Sequence, residues 1–163
     1  MCSARCPGRI ILEVHQAVKR LVGSPWVVVS GFQSPVEREC LRVLVRSEHP
    51  VIVCPARTIE SMRVSKQWDE LITNEKMLLL SPFERGQNRI TERSSVRRNL
   101  FVAALAEKVW IPHVSPESKT EKLTQKIEGW GTLIDLMDER CLITSEYIDP
   151  TIHAEHILGK SSD

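Results

Sequence analysis

The sequence predicts an α/β three-layer domain of Rossmann-like type, with a mainly parallel sheet of about five strands. Two observations carry that expectation. Short apolar runs rich in β-branched residues recur along the chain without polar alternation, the pattern of strands covered on both faces. Between them lie helical periods of roughly 10–15 residues, and such alternation means βαβ crossovers. The length, 163 residues, leaves room for one domain and a tail.

Apolar positions at Ile11, Val14, Val18 and Leu21 predict an amphipathic helix over 10–22, stopped by Gly23-Ser24-Pro25. Trp26 to Ser30 reads as the first strand. Ser34, Pro35 and Glu37 combine a capping box with a proline at the first helical position, so a helix starts there and runs through Cys40, Leu41, Leu44 and Val45. Val51 to Cys54 is the second strand, and 59–73 is expected to be helical around Met62, Trp68, Leu71 and Ile72. Met77 to Leu80 is a third buried strand, and 89–108 a long helix packed through Leu100, Val102, Ala103 and Leu105. Val109 to His113 is the fourth strand. Ser118 and Glu121 form a second capping box opening a helix through Leu123 and Ile127, and Thr132 to Asp135 is the fifth strand. These elements divide the chain into an N-terminal segment and helix (1–24), the α/β domain (25–136) and an acidic C-terminal tail (137–163).

Lys+Arg is 22 and Asp+Glu 21, a formal charge of +1 that argues against a generally basic nucleic-acid coat or a protein held to membranes by charge. No apolar run approaches the roughly 18 residues of a membrane span. No signal peptide is recognisable, and five scattered cysteines fit a reducing, cytoplasmic setting. The distribution of charge says more than its sum. Residues 85–98 hold five arginines against one glutamate, and Arg85, Arg89, Arg93 and Arg97 recur every four residues. On one helix that spacing draws a continuous basic stripe suited to the phosphates of a nucleic-acid strand. A solvated helix face, partly paired with Glu84 and Glu92, is the plainer alternative.

In an open parallel sheet, ligands bind at the carboxyl ends of the strands, where loops meet helix N-termini that favour phosphate. That rule selects Ser30, Gly31 and Phe32 after the first strand, Arg57 after the second, Ser81 after the third, and Ser118, Lys119 and Thr120 after the fourth. Ordinary helix capping accounts for Ser34 and Ser118 without any ligand. A G-x-G-x-x-G fingerprint is absent, and Lys119-Thr120 lacks the glycines of a Walker loop, which removes the nicotinamide oxidoreductases and P-loop NTPases. No cofactor is implied. His153 and His156 are spaced for one helical turn but lack companion ligands, so no metal site is expected. No nucleophile elbow is present, catalytic residues are not identifiable, and His113 is the one candidate acid/base.

Val28-Val29-Ser30-Gly31-Phe32, Val51 to Arg57 and Leu79 to Phe83 follow the strand-loop order of the DNA-processing protein A (DprA/Smf) family. Arg89-Ile90-Thr91-Glu92, Arg97-Arg98-Asn99 and Val102 to Ala106 resemble that family's Arg-Asn segment, and Ser115 to Thr120 lies where the family has its loop after the fourth strand. The resemblance covers roughly 25–136. It implies a Rossmann-like fold that binds single-stranded DNA, assists loading of a recombinase and self-associates. Carried across, the DNA- or phosphate-facing candidates are Ser30, Gly31, Arg57, Arg97, Arg98, Asn99, Ser118 and Lys119. The family's Gly-rich first loop is replaced by Ser30 to Pro35, and the chain reads as a stand-alone, divergent member. The chain is also similar to the wider nucleotide-binding group that includes cytokinin-activating phosphoribohydrolases. This leaves a small-molecule nucleotide sensor or hydrolase as the alternative, although Pro116 to Thr120 replaces the Pro-Gly-Gly-x-Gly-Thr loop of those enzymes.

Overall fold

The computed structural model describes residues 7–60 and 62–136. Cys2, Cys6, Cys141, the acidic tail and its His153/His156 pair lie outside the described residues. Helix α1 (Gly8–Leu21) is followed by β1 (Val28–Ser30), α2 (Pro35–Arg46), β2 (Val51–Val53), α3 (Lys66–Thr73) and β3 (Met77–Leu79). Then come α4 (Glu92–Leu105), β4 (Lys108–Ile111), α5 (Lys119–Glu128) and β5 (Leu133–Leu136). The result is an α/β three-layer arrangement of Rossmann-like type.

The helix starts follow the side chains. Ser34 Oγ accepts the Glu37 amide at 3.2 Å while Glu37 Oε2 accepts the Ser34 amide at 2.9 Å, a complete capping box with Pro35 at the first helical position. Ser118 caps α5 through the Glu121 amide, but the Glu121 carboxylate turns to the Glu117 amide at 2.7 Å, so only half of the expected second box forms. The helix expected over 59–73 is shorter. It begins at Lys66, because Ser65 accepts the Trp68 amide, and the preceding stretch is held open by Thr58, whose amide reaches Gln87 O and whose hydroxyl accepts the Glu60 amide.

Strands β1, β2 and β3 form one parallel ladder, with Val28 beside Val51 and Val51 beside Met77. Strands β4 and β5 form a second parallel ladder, with Lys108 beside Leu133. The single sheet expected from the sequence is therefore divided into three strands and two. The first strand starts at Val28, leaving Trp26 and Val27 exposed, and β3 is covered on one face only, so Met77 is buried while Leu78 on the opposite face meets solvent. One core gathers Val14 and Val18 of α1, Val36 and Leu44 of α2, Val51, Val53 and Met77 of the strands, and Leu71 of α3. A second joins Ala103 of α4, Val109 and Ile111 of β4, and Leu123 and Ile127 of α5. Trp110 of β4 packs against the first core, bringing the two halves together.

The first ladder grows away from β1, and after β3 the chain returns through α4, which packs on β1 and on α5 before β4 begins. Such a reversal of strand order is where open α/β sheets place their ligands.

Candidate nucleic-acid interface on helix α4

At the carboxyl end of β1, Ser30 donates its hydroxyl hydrogen to Glu37 Oε1 at 3.2 Å and accepts the Phe32 amide at 3.4 Å. Its carbonyl accepts the Cys54 amide at 2.8 Å, tying the ends of β1 and β2 together. Phe32 is in the left-handed region (φ 49°), and its ring is buried in the first core. Burial of that ring holds a backbone conformation that non-glycine residues rarely adopt.

The buried charge of the site comes from α4. Arg98 is only 3% exposed. Its guanidinium donates from Nη1 to Cys54 O at 2.9 Å, from Nη2 to Gln33 Oε1 at 3.0 Å and from Nε to Asn99 Oδ1 at 2.7 Å. It lies on the backbone of Gly31, where a Cβ would stand 1.2 Å from Nη1 and 1.8 Å from Cζ. Glycine is required here because the planar fork occupies the space of a side chain. Burial pushes Arg98 below the usual arginine range, while the nearby Glu37 carboxylate holds it up. Ser95, one turn earlier on α4, reaches the same Gln33 Oε1 at 3.4 Å.

Helix α4 touches the other strand-end loops as well. The Arg97 guanidinium sits 5.4 Å above the Phe83 ring in the loop after β3. That loop is fastened to the end of β2, since Ser81 Oγ donates to Arg57 O at 2.7 Å and accepts the Phe83 amide at 3.2 Å. At the start of α4, Glu92 pairs with Lys119 of α5 at 2.8 Å. One helix thus draws on all four strand-end loops selected from the sequence.

The arginine stripe is shorter than its spacing suggested. Thr91 and Ser94 cap each other's backbone amides and start α4 at Glu92, which leaves Arg85 and Arg89 in the preceding loop. Arg85 there pairs with Glu60. Of the helical arginines, Arg98 points inward with Ser94, Val102 and Ala103, whereas Arg93 and Arg97 are exposed. Four residues apart, they rise about 6 Å along the axis. With Glu92, Val96 and Leu100 they line an open concavity of about 570 Å³.

The candidates therefore separate. Ser30, Gly31, Arg98 and Asn99 meet at the end of β1, and Phe32 belongs to the core below them. Arg57 and Ser81 share one hydrogen bond, and Arg97 lies on the outward face. Ser118, Lys119 and Thr120 start α5; there Ser118 is spent on capping, Lys119 on Glu92, and Thr120 O accepts the Thr124 hydroxyl at 2.8 Å. His113 ends beside Ser115, whose Oγ is 3.3 Å from Nε2. Sequence reasoning missed Gln33, Ser95 and the Glu37 carboxylate as partners in the buried network. Ser95, Arg98 and Asn99 stand at spacings of three and four, which would have placed them on one helical face. Among the described residues, no group of three or more His, Cys, Asp or Glu is placed to hold a metal, and no helix is long and apolar enough to cross a membrane.

Comparison with known proteins places the fold. No protein-family model matches the chain, and no curated protein matches it in sequence. Solved structures do match in shape. DNA processing protein A from Helicobacter pylori, whose structure concerns its binding of single-stranded DNA, superposes with a TM-score of 0.65 at 16% identity, over 87% of this chain and 65% of that one. DNA processing protein A (DprA) from Streptococcus pneumoniae gives 0.66 at 15% identity, over 86% of this chain and 50% of that one. The chain shares the Rossmann-like fold of these proteins and spans about half to two thirds of their length.

Proposed function

We propose that this protein binds single-stranded nucleic acid, DNA in the first instance, on the outward face of α4. The observation that carries the reading is the division of labour among neighbouring arginines. Arg98 is buried and braces the loops at the ends of β1 and β2, while Arg93 and Arg97 remain exposed beside an apolar floor of Val96 and Leu100. Exposed guanidiniums a turn apart suit successive phosphates, and apolar side chains between them suit the faces of unstacked bases. The fold shared with the single-strand-binding protein of Helicobacter pylori supports the same reading. The α5 N-terminus favours a small-nucleotide grip less, since Glu121 already holds the Glu117 amide and Lys119 already has Glu92. Self-association and hand-over to a recombinase belong to this proposal as consequences of the family resemblance, and a cytoplasmic location as a consequence of the scattered cysteines.

The test is a fluorescence-anisotropy titration of labelled oligo(dT) at low salt, with nucleoside monophosphates and diphosphates screened in parallel by thermal shift. Binding of the oligonucleotide, weakened several-fold by Arg97→Ala, is the expected result. A nucleotide that raises the melting temperature while oligo(dT) does not bind would replace this function with the small-molecule one.

A further inference from the structure

The outward face of α4 is not basic throughout, because Glu92 lines the same concavity as Arg93, Val96, Arg97 and Leu100. Spacings of four put Glu92, Val96 and Leu100 in one row along the helix and Arg93 and Arg97 in the next, about 100° round the axis. Neighbouring elements fix the side each row takes. Glu92 meets Lys119 of α5, and Arg97 lies over Phe83 of the loop after β3. A path across the face from that loop toward α5 therefore meets two guanidiniums, then an apolar strip with a carboxylate at its amino-terminal end. A nucleotide laid across it, phosphate on the arginine row and base on Val96, turns its Watson–Crick edge toward Glu92.

A carboxylate only accepts hydrogen bonds, so it sorts bases by their donors. Guanine carries N1–H and the N2 amino group side by side, a match for two carboxylate oxygens. Adenine and cytosine offer one amino group beside a ring acceptor, and thymine offers N3–H between two carbonyl oxygens that the carboxylate repels. Lys119 does not exclude a base. It engages Glu92 Oε1 at 2.8 Å, and each carboxylate oxygen has room for a second donor, so the pair aims the carboxylate without filling it. We infer that Glu92 is the base-reading residue of this face and makes it prefer guanine over thymine. The inference rests on the single-strand reading above, in which Arg93 and Arg97 take the phosphates, and adds to it which base is held between them and α5.

The experiment titrates the full chain by fluorescence anisotropy at low salt with three oligonucleotides of equal length: oligo(dT), a thymine-thymine-guanine repeat, and that repeat with inosine for guanosine. Inosine keeps N1–H and lacks the amino group. The wild type is expected to bind the guanine repeat about fivefold more tightly than oligo(dT), the lower end for a bidentate base contact because the Glu92 side chain is 69% exposed. The inosine repeat should fall between them. Glu92→Gln is expected to bring the ratio of guanine repeat to oligo(dT) close to one while oligo(dT) itself binds about twofold more tightly, since a charge that repels phosphate is gone. Lys119→Met, which removes the cation and keeps the carboxylate, should retain the preference. Equal and firm binding of all three oligonucleotides by the wild type overturns base reading and leaves the phosphate contacts standing. A preference that survives Glu92→Gln, or one that is lost in Lys119→Met, overturns the role of Glu92. An equal fall for all three in Glu92→Gln makes Glu92 a support of the face and overturns it as well. No binding of any oligonucleotide by the wild type removes the single-strand reading and this inference with it.

Discussion

Replacing Gly31 with alanine expels the Arg98 guanidinium from its seat at the end of β1. The backbone of Gly31 does not need glycine for its own conformation, so alanine would by itself stabilise the fold by about 0.4–1 kcal/mol through the unfolded chain. The new Cβ, however, would stand 1.2 Å from Nη1, an overlap relieved only when the Arg98 side chain swings to another rotamer and leaves its seat. Displacement breaks the bonds to Cys54 O and Gln33 Oε1, which span two loops. Hydrogen bonds from a charged donor contribute about 1.5–3 kcal/mol each, and the hydration regained by the freed arginine returns part of that. A net loss of about 2–4 kcal/mol is the expected outcome in urea denaturation. The cause is isolated by a cycle with Arg98→Ala. Once the guanidinium is gone, alanine at 31 has open space, so the double variant should be no less stable than Arg98→Ala alone. Set against the loss in Gly31→Ala alone, that is a coupling of at least about 2–4 kcal/mol. Additive losses, within about 0.5 kcal/mol, would refute the account of Gly31 as the seat of Arg98.

Ser34→Ala removes one half of the α2 capping box and should cost about 1 kcal/mol in the same urea assay, with the m-value unchanged. Lys119→Ala severs a pair whose partners are both 69% exposed, so its effect on stability should stay below about 1 kcal/mol and shrink further in salt. Burial raises the Cys40 and Cys54 thiols from 9.0 to about 11. Both are therefore protonated in the folded protein at pH 8 and should resist alkylation there, as followed by mass spectrometry. The same shift sets a pH dependence. The unfolded chain releases these protons from about pH 9 and the folded chain only near pH 11, so stability measured by urea should fall across that window, and Cys40→Ala/Cys54→Ala should flatten the fall.

Much of the fold was legible because local chemistry and long-range packing agree in it. The Ser34-Pro35-Glu37 start is written within four residues and forms as read. The β-branched runs at 28–30 and 51–53 become paired parallel strands because both demand burial. Where two local signals competed, the sequence was less decisive. Apolar periodicity over 59–73 favoured one long helix, yet the Ser65 hydroxyl and the Thr58 bonds to Gln87 and Glu60 divide the segment. Whether five strands join in one ladder depends on how α4 and Trp110 pack between the halves, which no strand's own residues record. The candidate site shows the same limit. The arginine spacing pointed to α4, but adjacent Arg97 and Arg98 differ in fate, because one hundred degrees of helical rotation turns one toward solvent and the other onto Gly31.

The central claim is that Arg93 and Arg97 meet phosphates on the exposed face of α4 while Arg98 only supports it. Its most direct test is the salt dependence of oligo(dT) affinity for the wild type and for Arg93→Ala/Arg97→Ala. Each lost phosphate contact lowers the slope of log K against log salt by about 0.7 for a single strand, so the double variant should bind more weakly with a slope shallower by about 1.4. An equal slope and affinity in the two proteins, or no binding by the wild type at low salt, would contradict it.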